Sequence, residues 1–227
     1  MIFGTVVLLC AAASCYQFVS DARAAARQSS CNGSGCASAL TLNNYVQLTG
    51  RYPPATVTEA GHVHSWRARV IATAHSAEFA AAYRFDEPWN SEANWRAAAT
   101  GDGIFSCSWD RTPVGGDPGN PTAAAYVALV GPECVIRPEG LPTRRPNEVP
   151  ERTIVLVETR VPGIPWTKPF DLSFERLLED RAYAESVIGG PHPGGGHFVR
   201  ADGTRGRINE IGLDALLKQC VVPDDVQ

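Results

Sequence analysis

Apolar positions run almost unbroken and without a charge from Ile2 to Val19, then give way to the helix-forming run Asp21-Ala-Arg-Ala-Ala-Ala-Arg27. No Gly or Pro separates the two runs, so the pattern predicts one long helix. At about 1.5 Å of rise per residue its apolar part reaches about 27 Å, close to the roughly 30 Å of hydrocarbon in a bilayer. The residues leave three fates for this segment: an uncleaved anchor, a cleaved secretory signal with its small residues at Ala11-Ala-Ala-Ser-Cys15, or a lipid anchor on Cys15. Each places the bulk of the chain outside the cytoplasm.

Cys31-Asn-Gly-Ser-Gly-Cys36 interrupts this composition. Each of its glycines is about 1 kcal/mol less favourable than Ala in a helix interior, so the helix is expected to weaken or kink there. Apolar positions resume at Ala39, Leu40, Leu42 and Tyr45, and a second helical segment ends near Leu48, ahead of Gly50 and Pro53-Pro54. His62-Val-His-Ser-Trp66 is expected as a turn, with His62 and His64 spaced as on one face of a strand. Arg67 to Tyr83 then predicts one alanine-rich helix, and Phe85-Asp-Glu-Pro-Trp-Asn90 a packed turn. Residues 100–150 are rich in Gly and Pro, which predicts loops around one strand at Ala124 to Val130. Thr153-Ile-Val-Leu-Val-Glu158 is the strongest strand signal, a β-branched run suited to burial on both faces. A short helix within Leu172 to Val187, capped by Asp171, is expected next. Asp202-Gly203 between two short extended runs predicts a β-hairpin, because both turn residues favour positive φ, and Leu213 to Gln219 predicts a closing helix.

Charge and chemistry narrow the function. The net charge of -4 and the scattered Lys and Arg residues provide no basic stripe for nucleic acid. Beyond Cys10 and Cys15, the cysteines Cys31, Cys36, Cys107, Cys134 and Cys220 suit one or two disulfides in an oxidising compartment, with at least one thiol left free. Cys31 and Cys36 read as half a metal site at most, and His62, His64 and His75 as solvated or capping groups. Gly194-Gly-Gly196 follows a Pro and lacks the Gly-Lys-Ser/Thr of a nucleotide loop. No Gly-x-Ser-x-Gly turn, His-Glu-x-x-His helix or kinase signature is present. The chain is therefore expected to be non-enzymatic, without cofactor, metal site or catalytic residue. His192 and Asp202 could hydrogen-bond across the hairpin and fix it. A rival function is an exported ligand-binding domain, in which Trp66, Trp89, Trp95, Trp109 and Trp166 line a carbohydrate or peptide site.

Several blocks together resemble a planctomycete pseudopilin-like family of unknown function. They are Ala22-Arg-Ala-Ala-Ala-Arg27, Asn44-Tyr45 with Gly50-Arg-Tyr-Pro-Pro54, Ser65-Trp66-Arg67, Phe85 to Ser91, Tyr126 with Val130-Gly-Pro132, Thr153 to Glu158, and Ile164 to Pro169. His192 precedes Asp202-Gly203 by nine intervening residues, which is similar to the carboxy-terminal motif of that family. The resemblance implies an α+β, pilin-like fold in which a long, partly transmembrane amino-terminal helix packs on a mostly antiparallel β-sheet with long loops. It implies an anchor and spine over 1–29 and an exported head over 30–227, with the His192, Asp202 and Gly203 motif as a structural hairpin at 192–208. It also implies a single-pass membrane protein with its head in the periplasm or at the cell surface, related to type II secretion pseudopilins and assembling with itself or similar subunits. Held in register with the family, the glutamate of the processing site falls just before Met1. That leaves two expectations, a start upstream of Met1 or a member that has lost processing.

Overall fold

A computed structural model describes residues 16, 18–20, 22–23, 35–101, 103–107, 113–190 and 195–223. Among these residues two sheets and the helices around them give a mixed α+β fold. Most of the apolar run from Ile2 lies outside the described residues. No helix among the described residues is long and apolar enough to cross a membrane.

The helix α1 (35–49) buries Ala39, Leu42 and Val46, which recur at the three- and four-residue spacing that aligns side chains on one face. It stops where Gly50, at φ 72°, donates its N–H to Val46 O, and Pro53-Pro54 forbids continuation. Gly35 is a helical residue, not a break. A Cβ there would lie 2.8 Å from the Tyr126 hydroxyl, so close packing accounts for a glycine at this position.

Strands β1 (Thr56–Glu59) and β2 (His62–Ser65) form an antiparallel two-stranded ribbon, so the expected turn at His62 is in fact a strand. The expected single helix from Arg67 to Tyr83 is two helices, α2 (Trp66–Ala74) and α3 (Ala77–Ala82). The physical reason is at the junction: the Ser76 side chain accepts from Phe79 N and starts a new helix. Helix α4 (Glu92–Ala99) begins the same way at Ser91.

The larger sheet has five strands in the order β5-β3-β4-β6-β7. Strands β3 (Tyr126–Val130), β4 (Ile154–Glu158), β6 (His197–Arg200) and β7 (Arg205–Arg207) pair antiparallel. Only the short β5 (Leu172–Ser173) runs parallel to its neighbour β3. Strand β4 sits at the centre with every residue buried, as its unbroken apolar run predicts. One face, carrying Tyr126, Ala128, Leu156 and Val199, packs against α1 and the α2–α4 region. The opposite face, carrying Val127, Leu129, Val157 and Phe198, packs against later helices.

Those later helices also differ from the expected one. The segment after β5 holds α5 (Phe174–Glu179) and α6 (Arg181–Val187), capped by Ser173 and Asp180. Asp171 caps neither, because its carboxylate is committed to Arg67. The chain then passes through the β6–β7 hairpin into α7 (Ile208–Ile211) and α8 (Leu213–Gln219), whose limits match those read from the sequence.

Candidate functional site

The hairpin carrying the Asp-Gly motif is the natural place to look for a site, and the structure divides it into two ends. At its tip, the Asp202 carboxylate accepts from Thr204 N at 2.8 Å and from Thr204 Oγ1 at 2.6 Å, an Asx turn that closes the hairpin. Gly203 follows at φ 82°, a conformation that favours glycine, and its N–H donates to Arg200 O. Asp202 N donates to Glu151 O, and Gly203 faces Asn43 of α1. The tip is therefore pinned to the body of the domain. His192 lies outside the described residues, so its expected bond to Asp202 has no structural counterpart here.

At the other end, Gly195-Gly196 leads into β6. A Cβ on Gly196 would come within 2.6 Å of the Gly189 backbone, so two glycine-containing segments can pass here only in the absence of side chains. Beside this crossing the register brings three polar side chains into one row across the sheet. Tyr126 of β3 pairs directly with Glu158 of β4, and His197 of β6 lies next to Glu158. Glu158 Oε2 accepts from His197 N at 2.9 Å and lies 3.3 Å from His197 Nδ1. Glu158 also hydrogen-bonds the Tyr126 phenol. Burial pushes that phenol far above the usual tyrosine range, the Glu158 charge and hydrogen bond push it further, and Arg205 opposes them. All three side chains are buried.

A second polar cluster ties β2 and α2 to the larger sheet. Arg67 is fully buried. It donates from Nη2 to Asp171 Oδ1 at 2.6 Å, from Nε to Tyr126 O at 3.2 Å, from Nη1 to Ser65 Oγ at 3.0 Å, and to Phe170 O. Asp171 accepts in addition from Ala128 N at 2.7 Å and from Trp66 Nε1 at 3.0 Å. Both carboxylate oxygens are thus used, which is the condition under which a buried ion pair is tolerated.

The histidines expected as solvated groups are not all solvated. His64 is buried, with Nδ1 2.9 Å from Tyr83 Oη and Nε2 3.0 Å from Phe85 O, and burial lowers its pKa. His75 is the residue that ends α2. Among the described residues no group of three His, Cys, Asp or Glu is placed to hold a metal. Cys107 is disulfide-bonded, whereas Cys36, Cys134 and Cys220 are free thiols. Cys31 lies outside the described residues.

Of the five tryptophans, Trp66 and Trp166 are interior and donate to Asp171 and to Ala98 O. Trp89 and Trp95 are half-buried with ring centroids 6.4 Å apart, and Trp109 lies outside the described residues. A cavity of about 440 Å³ lies near the polar row, lined by Ala124, Ala125, Thr159, Arg160, Pro162 and Gly190 among others. Neither Tyr126, Glu158 nor His197 lines it, so the row is not presented to a ligand there.

The sequence reading missed Tyr126, Glu158, His197, Arg67 and Asp171. One signal was available: Glu158 ends an otherwise apolar strand, whereas Arg67 shares its helix with Arg69 and does not stand out. The fold and these clusters define a mixed α+β domain braced internally by polar side chains. Residues 20–133 match the family described as protein of unknown function (DUF1559), and the chain belongs to that family. The match covers α1 through β3 and ends ahead of the hairpin, and it says nothing of prepilin-type features. No curated protein and no solved structure matches the chain.

Proposed function

We propose that the protein is a non-enzymatic, membrane-anchored, pseudopilin-like subunit, exported to the periplasm or cell surface, whose amino-terminal helix anchors it and assembles with like subunits. The observation that carries this reading is the exposure of Tyr16, Phe18 and Val19, which are 79%, 76% and 45% exposed on helical residues. Three large apolar side chains so close together on a helix gain free energy by leaving water, either in lipid or against another copy. The internal chemistry supports the same reading, because Arg67, Asp171, Glu158 and His64 are all spent on holding elements together. The prepilin-type helix, the membrane span and type II secretion kinship are parts of this proposal, carried by the sequence blocks that resemble that family.

An exported carbohydrate- or peptide-binding domain fits less well, since Trp66 and Trp166 are core residues with their indole N–H groups satisfied inside the fold. Chemical cross-linking of the full chain in its native cells tests the proposal. A ladder of multimers is expected, and it should collapse to monomer in a Tyr16→Glu/Phe18→Glu chain whose head retains its circular dichroism. A native chain that cross-links only as monomer and fractionates away from membranes would sink it.

A further inference from the structure

Four arginines, Arg51, Arg137, Arg144 and Arg145, line one open cavity of about 460 Å³ with Glu148 and Pro223. Arg51, Arg137 and Arg145 bring three guanidinium groups to this described lining, and Glu148 is its one carboxylate. The arginines come from two segments that the backbone holds together. Tyr52 N donates to Arg144 O at 2.9 Å, and Ala55 N donates to Arg137 O at 2.8 Å.

What fixes the guanidinium groups is informative. Arg51 Nη1 donates to Thr143 O at 2.8 Å, and Arg137 Nη1 donates to Pro142 O at 3.2 Å. Arg144 is buried and donates from Nε to Cys134 O at 3.1 Å. Arg144 is spent further inside, its Nη2 donating to Pro132 O and Glu133 O. A carbonyl orients a guanidinium without neutralising it, and Arg51 and Arg137 keep further N–H donors in a planar fork. Glu148 Oε2 accepts from the backbone N–H of Arg145 at 2.7 Å, and among the described residues Glu148 forms no ion pair with an arginine. Among the described residues no ion pair joins Arg51, Arg137 or Arg145 to a carboxylate. Arg137 Nε is moreover buried with no hydrogen-bond partner among the described residues. Three arginines, Arg51, Arg137 and Arg145, that no described carboxylate pairs, set around a cavity of this size, are the chemistry that receives a compact, multiply charged anion.

We propose that this cavity is a binding site for a tetrahedral oxyanion group, sulfate or phosphate, free or as an ester. The convergence of several forks favours a dianion over a single carboxylate, which one bidentate arginine would satisfy. The site shares no lining residue with the hairpin motif and is independent of how the amino-terminal helix is used.

Calorimetric titration of the full chain with sodium sulfate and with sodium phosphate, against sodium chloride at matched ionic strength, tests it. Saturable 1:1 binding of one or both oxyanions, absent with chloride, is expected. Arg51→Gln/Arg145→Gln, two exposed positions whose loss should leave the circular dichroism unchanged, should weaken it at least tenfold. Arg181→Gln, an exposed arginine of α6, should not. Because Asp224-Asp225 follows Pro223 directly in sequence, the titration is repeated on Asp224→Asn/Asp225→Asn. Absence of saturable binding in both chains overturns the proposal, as does equal affinity in the Arg51→Gln/Arg145→Gln chain. Phosphate binding that tightens from pH 6 to pH 8 as the second proton leaves, beside flat sulfate binding, marks a phosphate site. Sulfate binding the tighter throughout marks a sulfate site.

Discussion

Asp171 and Glu158 are both buried carboxylates facing strand β3, yet they are held by different kinds of partner. Asp171 faces a permanent cation, Arg67, and three N–H donors come from Arg67, Ala128 and Trp66. Glu158 faces Tyr126 and His197, a phenol and an imidazole whose charge depends on protonation. The first arrangement locks a fixed charge between the β1–β2 ribbon region and the larger sheet. The second holds its carboxylate by hydrogen bonds across neighbouring strands. Position in the fold matches this division: the Arg67 pair bridges segments distant in sequence, and the Glu158 row aligns neighbouring strands.

Removing Asp171 should therefore have the largest effect. Asp171→Ala strands the Arg67 guanidinium in the core and is expected to cost about 3–5 kcal/mol, measured by denaturant unfolding. The double variant Arg67→Met/Asp171→Leu should recover part of that loss, since no lone charge remains. A single variant that loses less than about 1 kcal/mol would erase the contrast with Glu158.

Glu158→Gln keeps the size of the side chain and an oxygen able to accept from His197 N, so a smaller loss of about 1–3 kcal/mol is expected. Its sharper signature lies at high pH. Tyr126 and Tyr83 are pushed above the usual tyrosine range and Tyr52 to about 12, in each case chiefly by burial. Above about pH 10 an unfolded chain releases these protons while the folded chain keeps them. The unfolded state then binds fewer protons, so stability falls as pH rises through that range. Tyrosinate absorbance should show Tyr126 ionising at lower pH in Glu158→Gln, because the negative charge that helps to raise it is gone. An unchanged alkaline profile would break the link between the two residues.

The hairpin tip should respond least. Asp202→Ala removes two hydrogen bonds to Thr204 at an exposed turn and is expected to cost about 1 kcal/mol, read as a small drop in Tm. A loss as large as that of Asp171→Ala would show that the motif does more than close the turn.

Patterns with a local physical cause could be read from the chain. The central strand β4 announces itself because burial on both faces removes any polar alternation. The Asp-Gly turn does so because the positive φ of Gly203 restricts residue choice, although Asp202, expected to share it, keeps negative φ, and α8 does so because its apolar spacing is uninterrupted. The break at His75-Ser76 was hidden by alanine-rich composition, since a serine inside a helix and a serine starting one look alike until its hydroxyl finds Phe79 N. Asp171 was misread for a similar reason, because a carboxylate before a helical run has the local appearance of a cap.

By itself, the sequence determined a mixture of helical and extended segments, the buried central strand, the carboxy-terminal hairpin and the apolar, basic-flanked character of the amino terminus. These follow from periodicity and turn chemistry, which act over a few residues. Tertiary structure alone decided that Arg67 meets Asp171, 104 residues away, that Tyr126, Glu158 and His197 share one row, and that Arg51 joins Arg137, Arg144 and Arg145 around one cavity. Such partnerships depend on strand order and register. A one-residue slip sends a side chain to the other face, and no local propensity encodes which distant residue will be waiting there.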